Sequence, residues 1–265
     1  MDLSKKLWLN LFARKRFGRF NASLLRRAQA GLGVNDYGPR QNAGERRLLE
    51  DMVRDLPQNA VVCDVGAHNG SYATFLASRR PDLVIHAFEP NPTVFSELKA
   101  KAANRFTAHN FALGEREGEA MLHDPKSEGG SECASLVAEA VDTLYGEHKK
   151  QVVPVRIETL DSVALAHGLK RIDYLKIDAE GYDLMVLRGA QSLIRENRLG
   201  IVQFEFNKMN VFSRTFMHDF HQILPNHNLH RIVQDGLIPL GKYNPLSWEI
   251  FGYQNIVGLP RKESV

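Results

Sequence analysis

Residues 61–70, Val-Val-Cys-Asp-Val-Gly-Ala-His-Asn-Gly, constrain the fold of this chain more than any other stretch. Val61, Val62, Cys63 and Val65 surround a single acid, Asp64, and the apolar run breaks at Gly66 before helical character resumes at Ser71. A buried strand, a glycine turn and a helix start are the parts of a nucleotide-binding βα unit. Glycine suits the turn because, lacking a Cβ, it tolerates positive φ and lets the backbone pass close to a ligand.

The acid narrows the ligand. A dinucleotide site aims a helix N-terminus at pyrophosphate, and a carboxylate at the strand end would repel that group. The pattern here, Asp64-x-Gly66-Ala67-x-x-Gly70, suits a cofactor with an ammonium group and no phosphate, and S-adenosylmethionine is that cofactor. A NAD-dependent reductase fails on the same pattern. The competing reading is a glycine turn in some other α/β protein.

A second apolar run, 83–88, ends at Glu89-Pro90-Asn91-Pro92. Glu89 stands 25 positions after Asp64 and 19 after Gly70, a spacing that puts an acid at the end of strand 2 to bind ribose hydroxyls. A surface Glu before a proline turn is the alternative. Residues 91–100 read as a helix with proline in its first turn. Residues 106–113 read as the third strand, with 110–113, including Asn110 and Ala112, facing the adenine side. The weakly periodic stretch 124–150 reads either as an acceptor-binding lid or as a surface excursion.

After a strand at 152–157 and a helix opened by Thr159 comes the second informative stretch, 172–183. It reads as a strand ending at Asp178, a turn with Glu180 and Gly181, and a helix. In an open doubly wound sheet, ligands bind outside the carboxyl ends of the strands where strand order reverses. If strands 1 and 4 are neighbours there, Asp64 and Asp178 face one crevice. A strand at 201–207, a helix at 212–224 and late strands at 229–233 and 254–257 complete the α/β pattern. His218, His221, His227 and His230 straddle a helix, Pro225 and a loop without cysteine or a metalloprotease pattern, which argues against zinc there.

Charge separates the N-terminus from the rest. Residues 1–27 carry eight Lys/Arg against Asp2 alone, a net of +7 in a chain whose total is +3, so the remainder is at −4. The body therefore does not look built for nucleic acid. Residues 4–30 read as one or two helices anchored by Leu7, Trp8, Leu11, Phe12, Phe20, Leu24 and Leu25, residues 31–39 as a linker, and 44–53 as a further helix. The extension can dock its apolar side on the domain, the favoured reading, or lie on an anionic membrane surface. Two cysteines, Cys63 and Cys133, make no disulfide framework. No apolar run approaches the ~18 residues of a membrane span, and a basic block follows 7–13 in place of a cleavage site. The cytoplasm is the expected compartment.

With these motifs assembled, the chain resembles the FkbM-type family of S-adenosylmethionine-dependent methyltransferases. The resemblance runs from about Val61 to Pro260. It rests on Asp64-Val-Gly-Ala67, Phe88-Glu-Pro-Asn-Pro92, Ala112-Leu-Gly114, Thr159-Leu-Asp161, Lys176-Ile-Asp-Ala-Glu-Gly181 with Leu187-Arg-Gly189, and Asn255. It implies the class I methyltransferase fold: a Rossmann-like, doubly wound, seven-stranded sheet with the last strand antiparallel, over 57–265, preceded by an N-terminal helical extension over 1–56. It implies cofactor binding by Asp64, Gly66, Ala67, Gly70, Glu89, Pro90, Asn91, Asn110 and Ala112, with Asp178 and Glu180 at the reaction centre. His68 stands where a small polar residue is expected. Members commonly methylate hydroxyls on sugars or natural products, so the expected partner is a small-molecule or glycan acceptor. With Glu205 nearby, the two carboxylates also make a set of oxygen ligands for Mg²⁺. Methylation of RNA or protein, and a non-catalytic binding protein that keeps the fold, are the other readings. The turn Asp178-Ala-Glu-Gly181 replaces the Asp/Asn-Pro-Pro-Tyr turn of base-directed N-methylation.

Overall fold

The computed structural model describes residues 3–34, 50–126, 129–146 and 150–261. Parts of the expected linker at 31–39 and of the expected helix at 44–53 lie outside them; within them, residues 50–54 are helical.

The two apolar runs of the sequence form adjacent parallel strands, β1 (Val61–Val65) and β2 (Val84–Phe88), joined through α3 (Ser71–Arg79). The chain then runs through α4 (Pro92–Ala102) to β3 (Thr107–His109), outside β2. It later returns to the other side of β1, where β7 (Ile172–Ile177) pairs with it and β8 (Leu199–Phe206) pairs with β7, all in parallel. Strand order thus reverses between β1 and β7, the place at which such sheets open a crevice. β11 (Gln254–Pro260) inserts antiparallel between β8 and β9 (His227–Val233). The order β10-β9-β11-β8-β7-β1-β2-β3 is the expected class I methyltransferase sheet with one strand added. That eighth strand, β10 (Gly236–Pro239), closes a hairpin on β9 across Gln234-Asp235, where Asp-Gly is a turn signal.

The expected third strand over 106–113 divides. β3 stays in the main sheet, while β4 (Ala112–Leu113) turns away and pairs with β6 (Gln151–Glu158) in a second sheet of order β4-β6-β5. β5 (Gly118–Asp124) pairs with β6 along its whole length, so the stretch 124–150 is the connection between these two strands, with α5 (Ala138–Tyr145) in it. The expected helix at 212–224 is also broken in two, α9 (Met209–Ser213) and α10 (Met217–Ile223), with Arg214 between them at φ 53°.

One face of the main sheet is covered by α3, α4 and the 50–54 helix through Ala73, Leu76, Leu98 and Val53. The other is covered by α6 (Leu160–Ala166), α7 (Asp183–Arg188), α8 (Gln191–Arg195), α10 and Trp248 of α11 (Pro245–Trp248). Both faces of β1 are therefore buried, which is why its sequence is a nearly unbroken apolar run.

The N-terminal extension differs from the favoured expectation. α1 (Leu3–Phe12) and α2 (Gly18–Gly31) contain no fully buried residue, and only Phe12, Leu24 and Ala30 of their apolar side chains are half-buried, so the arm presents no fully buried face to the domain. They fold on each other instead through Trp8, Phe12, Phe17 and Phe20, with ring centroids 4.6 to 6.3 Å apart. The arm joins the domain at Gly33 and the fully buried Val34; Gly33, at φ +77°, lies so close to β9 that a Cβ would stand 2.3 Å from the Ile232 carbonyl oxygen. No helix among the described residues is long and apolar enough to cross a membrane.

Candidate active site

At the switch point the loops after β1, β2, β7 and β8, together with the β5–β6 connection, enclose a cavity of about 1060 Å³. Register brings Asp64 opposite Lys176 and Val65 opposite Ile177, and the Asp178 N–H donates to the Val65 carbonyl at 3.0 Å. Gly66 turns at φ +76°, where a Cβ would stand 1.9 Å from the Asp178 carbonyl oxygen. The two acidic motifs thus meet as the paired strand ends required.

Asp64 is fully buried, and both of its carboxylate oxygens lack a hydrogen-bond partner. Burial pushes its pKa up to about 6 against the pull of Lys176. A buried acid without partners is costly unless a ligand completes it, and a cationic group in the crevice would do so. Glu89 is also buried and accepts from the His68 N–H at 2.9 Å and the Asn91 N–H at 2.8 Å. Burial holds its pKa at about 7 despite these two bonds. Its carboxylate is thereby fixed beside the glycine turn.

Asp64, Gly66, Ala67, Glu89, Pro90, Ala112, Asp178 and Glu180 all line the cavity. The other three expected cofactor residues are not among its lining residues. Gly70, the left-handed N-cap of α3, leaves room for Leu98 of α4: a Cβ would meet Leu98 Cδ1 at 2.6 Å. The Asn91 side chain caps α4 by accepting from the Thr93 N–H and donates to Asp124 Oδ2 at 3.2 Å. Asn110 Nδ2 donates to the Glu89 and Pro90 carbonyls at 2.9 and 3.1 Å. These two asparagines brace the Glu89 turn from behind. His68 lines the cavity with its backbone at φ 47°.

On the far side, one carboxylate oxygen from each of Asp178, Glu180 and Glu205 lies within 4.8 Å of the others. Lys176 Nζ sits 2.9 Å from Asp178 Oδ2, a single cation against three acids. Burial, then the charge of Asp178, push Glu180 and Glu205 well above the ordinary carboxylate range. Glu180 is held in the left-handed region at φ 50°, and its carbonyl accepts from Ser135 Oγ at 2.7 Å, tying the turn to the β5–β6 connection.

Two contributors were not singled out from sequence. Glu205 is oriented by Tyr253, whose hydroxyl donates to Oε1 at 2.7 Å from the loop before β11, and nothing in the sequence marks that tyrosine as a neighbour of β8. Asp183, fully buried with its pKa raised to about 7 by burial, accepts from the Gly181 and Glu205 N–H groups at 3.2 and 3.3 Å. It clamps the turn after β7 to β8. Ser131 to Leu136, within the stretch 124–150 for which the sequence offers a lid or a surface excursion, also line the cavity.

The methyltransferase FkbM domain model matches residues 64–230, which is most of the chain and spans every element of this crevice except β11. The curated relatives include methyltransferase 1 of Beauveria bassiana, 28% identical over 153 residues, covering 52% of this chain and 61% of that protein. They include 31-O-demethyl-FK506 methyltransferase FkbM of Streptomyces tacrolimicus, 27% identical over 183 residues, covering 57% and 70%. Hexuronic acid methyltransferase AglP of Haloferax volcanii is 21% identical over 165 residues, covering 60% and 62%. The alignment spans about three-fifths of the length of the first of these relatives. With a family model over more than half its length, laid on a sheet of the expected strand order, this chain belongs to the FkbM methyltransferase domain family.

Proposed function

We propose that this protein is an S-adenosylmethionine-dependent O-methyltransferase whose acceptor is a hydroxyl of a sugar, in a glycan, a glycolipid or a glycosylated metabolite. The observation that carries the reading is the meeting of two carboxylate groups of different kinds in one cavity. The unpartnered Asp64 and the braced Glu89 line one wall, and the converging Asp178, Glu180 and Glu205 line the other. S-adenosylmethionine supplies an electrophilic methyl group carried on a sulfonium. Asp64 would hold its ammonium group, Glu89 would accept from its ribose hydroxyls, and Gly66 would let the backbone approach it.

The cavity volume is at the upper end of the ~300–1,000 Å³ of ordinary ligand pockets, which is room for cofactor and acceptor together. Transfer needs the acceptor oxygen held in line with the methyl carbon, and positioning is its main catalytic term. A sugar hydroxyl is a poor nucleophile until its proton leaves. The carboxyl groups of Asp178, Glu180 and Glu205 converge in this cavity and are the proposed acceptors of that proton. The names of the Streptomyces and Haloferax relatives, which cite 31-O-demethyl-FK506 and a hexuronic acid, favour an oxygen acceptor. A second reading has the same three carboxylates holding Mg²⁺, which would lower the pKa of the hydroxyl.

The test is methyl transfer from labelled cofactor to host glycan and lipid extracts. Asp178→Asn and Glu180→Gln keep size and remove charge, so cofactor binding should persist while turnover falls ~10²-fold or more. Parental turnover in both variants would remove these residues from the chemistry. Loss of activity with EDTA, restored by Mg²⁺, would select the metal route.

The arm supports a location for the reaction. α1 and α2 expose Leu3, Leu7, Trp8, Leu11, Phe20 and Leu25 among eight basic residues. Apolar side chains within a positively charged face are the composition of a helix lying in an anionic membrane interface. The enzyme on this reading is cytoplasmic and works at the inner membrane face, where a glycolipid acceptor would be presented to it.

A further inference from the structure

We propose that His86, His109 and His167 form a binding site for a divalent transition metal, of the class of zinc, between the main sheet and the end of α6.

His86 interrupts the apolar run of β2, and its side chain is buried. Strand alternation puts it on the same face as Phe88, the face covered by α6. His109 ends β3 opposite Phe88 in the parallel register, on that same face and equally buried. The exposed His167 follows the last residue of α6 and comes over both rings, edge-on at 69° and 79° with centroids 5.0 and 5.1 Å away. His86 Nδ1 and His109 Nε2 are 3.0 Å apart, and one nitrogen from each of the three rings lies within 4.8 Å of the other two. Three elements thus bring one imidazole nitrogen each into a single cluster, in which His86 and His109 share a hydrogen bond that a metal would replace.

The chemistry of the donors selects the ion. Zinc bonded to imidazole at ~2.0–2.1 Å in tetrahedral geometry holds its nitrogens ~3.3 Å apart, a few tenths of an ångström from the His86–His109 separation. His167, at a helix end and in solvent, is free to close the third bond. All-nitrogen donors suit Zn²⁺, Cu²⁺ or Ni²⁺ and not Mg²⁺ or Ca²⁺. Neutral imidazole is the form that ligates. Three protein ligands leave the fourth position to water.

The site is separate from the carboxylate cluster. Phe88 and Phe111 stand between it and the crevice: His109 stacks on Phe88 with centroids 4.6 Å apart and meets Phe111 at 5.4 Å, and both phenylalanines line the cavity. A metal here would pin the edge strand β3 and the end of α6 to β2, behind the wall of the cofactor crevice. The site does not depend on the proposed methyl transfer.

The experiment uses the full-length protein stripped with chelator, titrated with Zn²⁺ by calorimetry and with Co²⁺ by visible absorption. One equivalent should bind, with a tetrahedral Co²⁺ spectrum and a melting temperature raised by several degrees at saturating zinc. His167→Ala changes an exposed side chain, so the protein should fold while zinc affinity falls at least tenfold and the thermal shift disappears. Asp178→Asn and the double variant His218→Ala, His221→Ala should bind as the parent does. Absence of stoichiometric binding, equal binding by His167→Ala, or loss of binding in Asp178→Asn would each overturn the site.

Discussion

The backbone of Gly66 passes so close to Asp178 that a single added carbon would overlap the Asp178 carbonyl oxygen at 1.9 Å. The contact joins the turn after β1 to the turn after β7 and sets the width of the crevice between their carboxylates. Gly66→Ala would force both turns apart, and φ +76° adds backbone strain. We expect a loss of about 2–4 kcal/mol by chemical denaturation, since strain and a backbone clash act together, and weaker cofactor binding. A variant with parental stability and affinity would show that the two turns separate freely.

The buried acids predict a pH dependence with a definite sign. Asp64 is raised from 3.8 to about 6, and Glu89 from 4.5 to about 7. Between the ordinary and the raised value the folded state binds more protons than the unfolded one, so each acid makes the free protein less stable as pH rises through that window. Asp64→Asn should therefore gain stability relative to the parent as pH rises from about 4 to about 6, and hold that gain above it. Melting temperatures of both proteins across that range would check it; a constant difference would refute it. Because the proposed cofactor is cationic, its affinity should rise over the same window in the parent and not in the variant.

Cys133 lines the cavity and is partly exposed, whereas Cys63 is buried within β1 and its thiol is pushed upward by burial. Alkylation of the folded protein should modify Cys133 alone, because only an accessible thiolate reacts. S-adenosylhomocysteine should slow that reaction if the β5–β6 connection closes over the cofactor. Peptide mass spectrometry would read both, and equal labelling of Cys63, or a rate indifferent to the product, would count against the arrangement.

The arm should be separable from the domain. α1 and α2 contain no fully buried residue, so deletion of residues 1–31 should leave the melting temperature within a degree or two, the scale of a ~0.5 kcal/mol surface change. The same deletion, and the triple charge reversal Lys5→Glu, Lys15→Glu, Arg19→Glu in the full chain, should abolish sedimentation with phosphatidylglycerol vesicles. Neutral vesicles should bind the parent more weakly, and salt should weaken binding further. Sedimentation of the charge-reversed protein equal to the parent would remove the membrane role.

The sequence by itself determined the strands, turns and acids that local chemistry dictates. β1 and β2 are legible because both faces of a central parallel strand are buried and the residues must be continuously apolar, and Asp64 and Glu89 stand out because each breaks that rule at a strand end. Tertiary structure alone decided which of these groups meet. Gly70, Asn91 and Asn110 belong to motifs that point to a ligand, yet their sides face Leu98, Asp124 and the Glu89 carbonyl, because a motif records spacing and not direction. Tyr253, just before β11, and Asp183, at the start of α7, act on Glu205 through contacts between distant elements that no local pattern encodes. The same holds for the histidines. Four near the C-terminus are close in sequence and draw notice there, while His86, His109 and His167 converge only once β2, β3 and α6 are packed. Sequence proximity reports the chain, but coordination and catalysis depend on distances of a few ångströms that the folded sheet alone establishes.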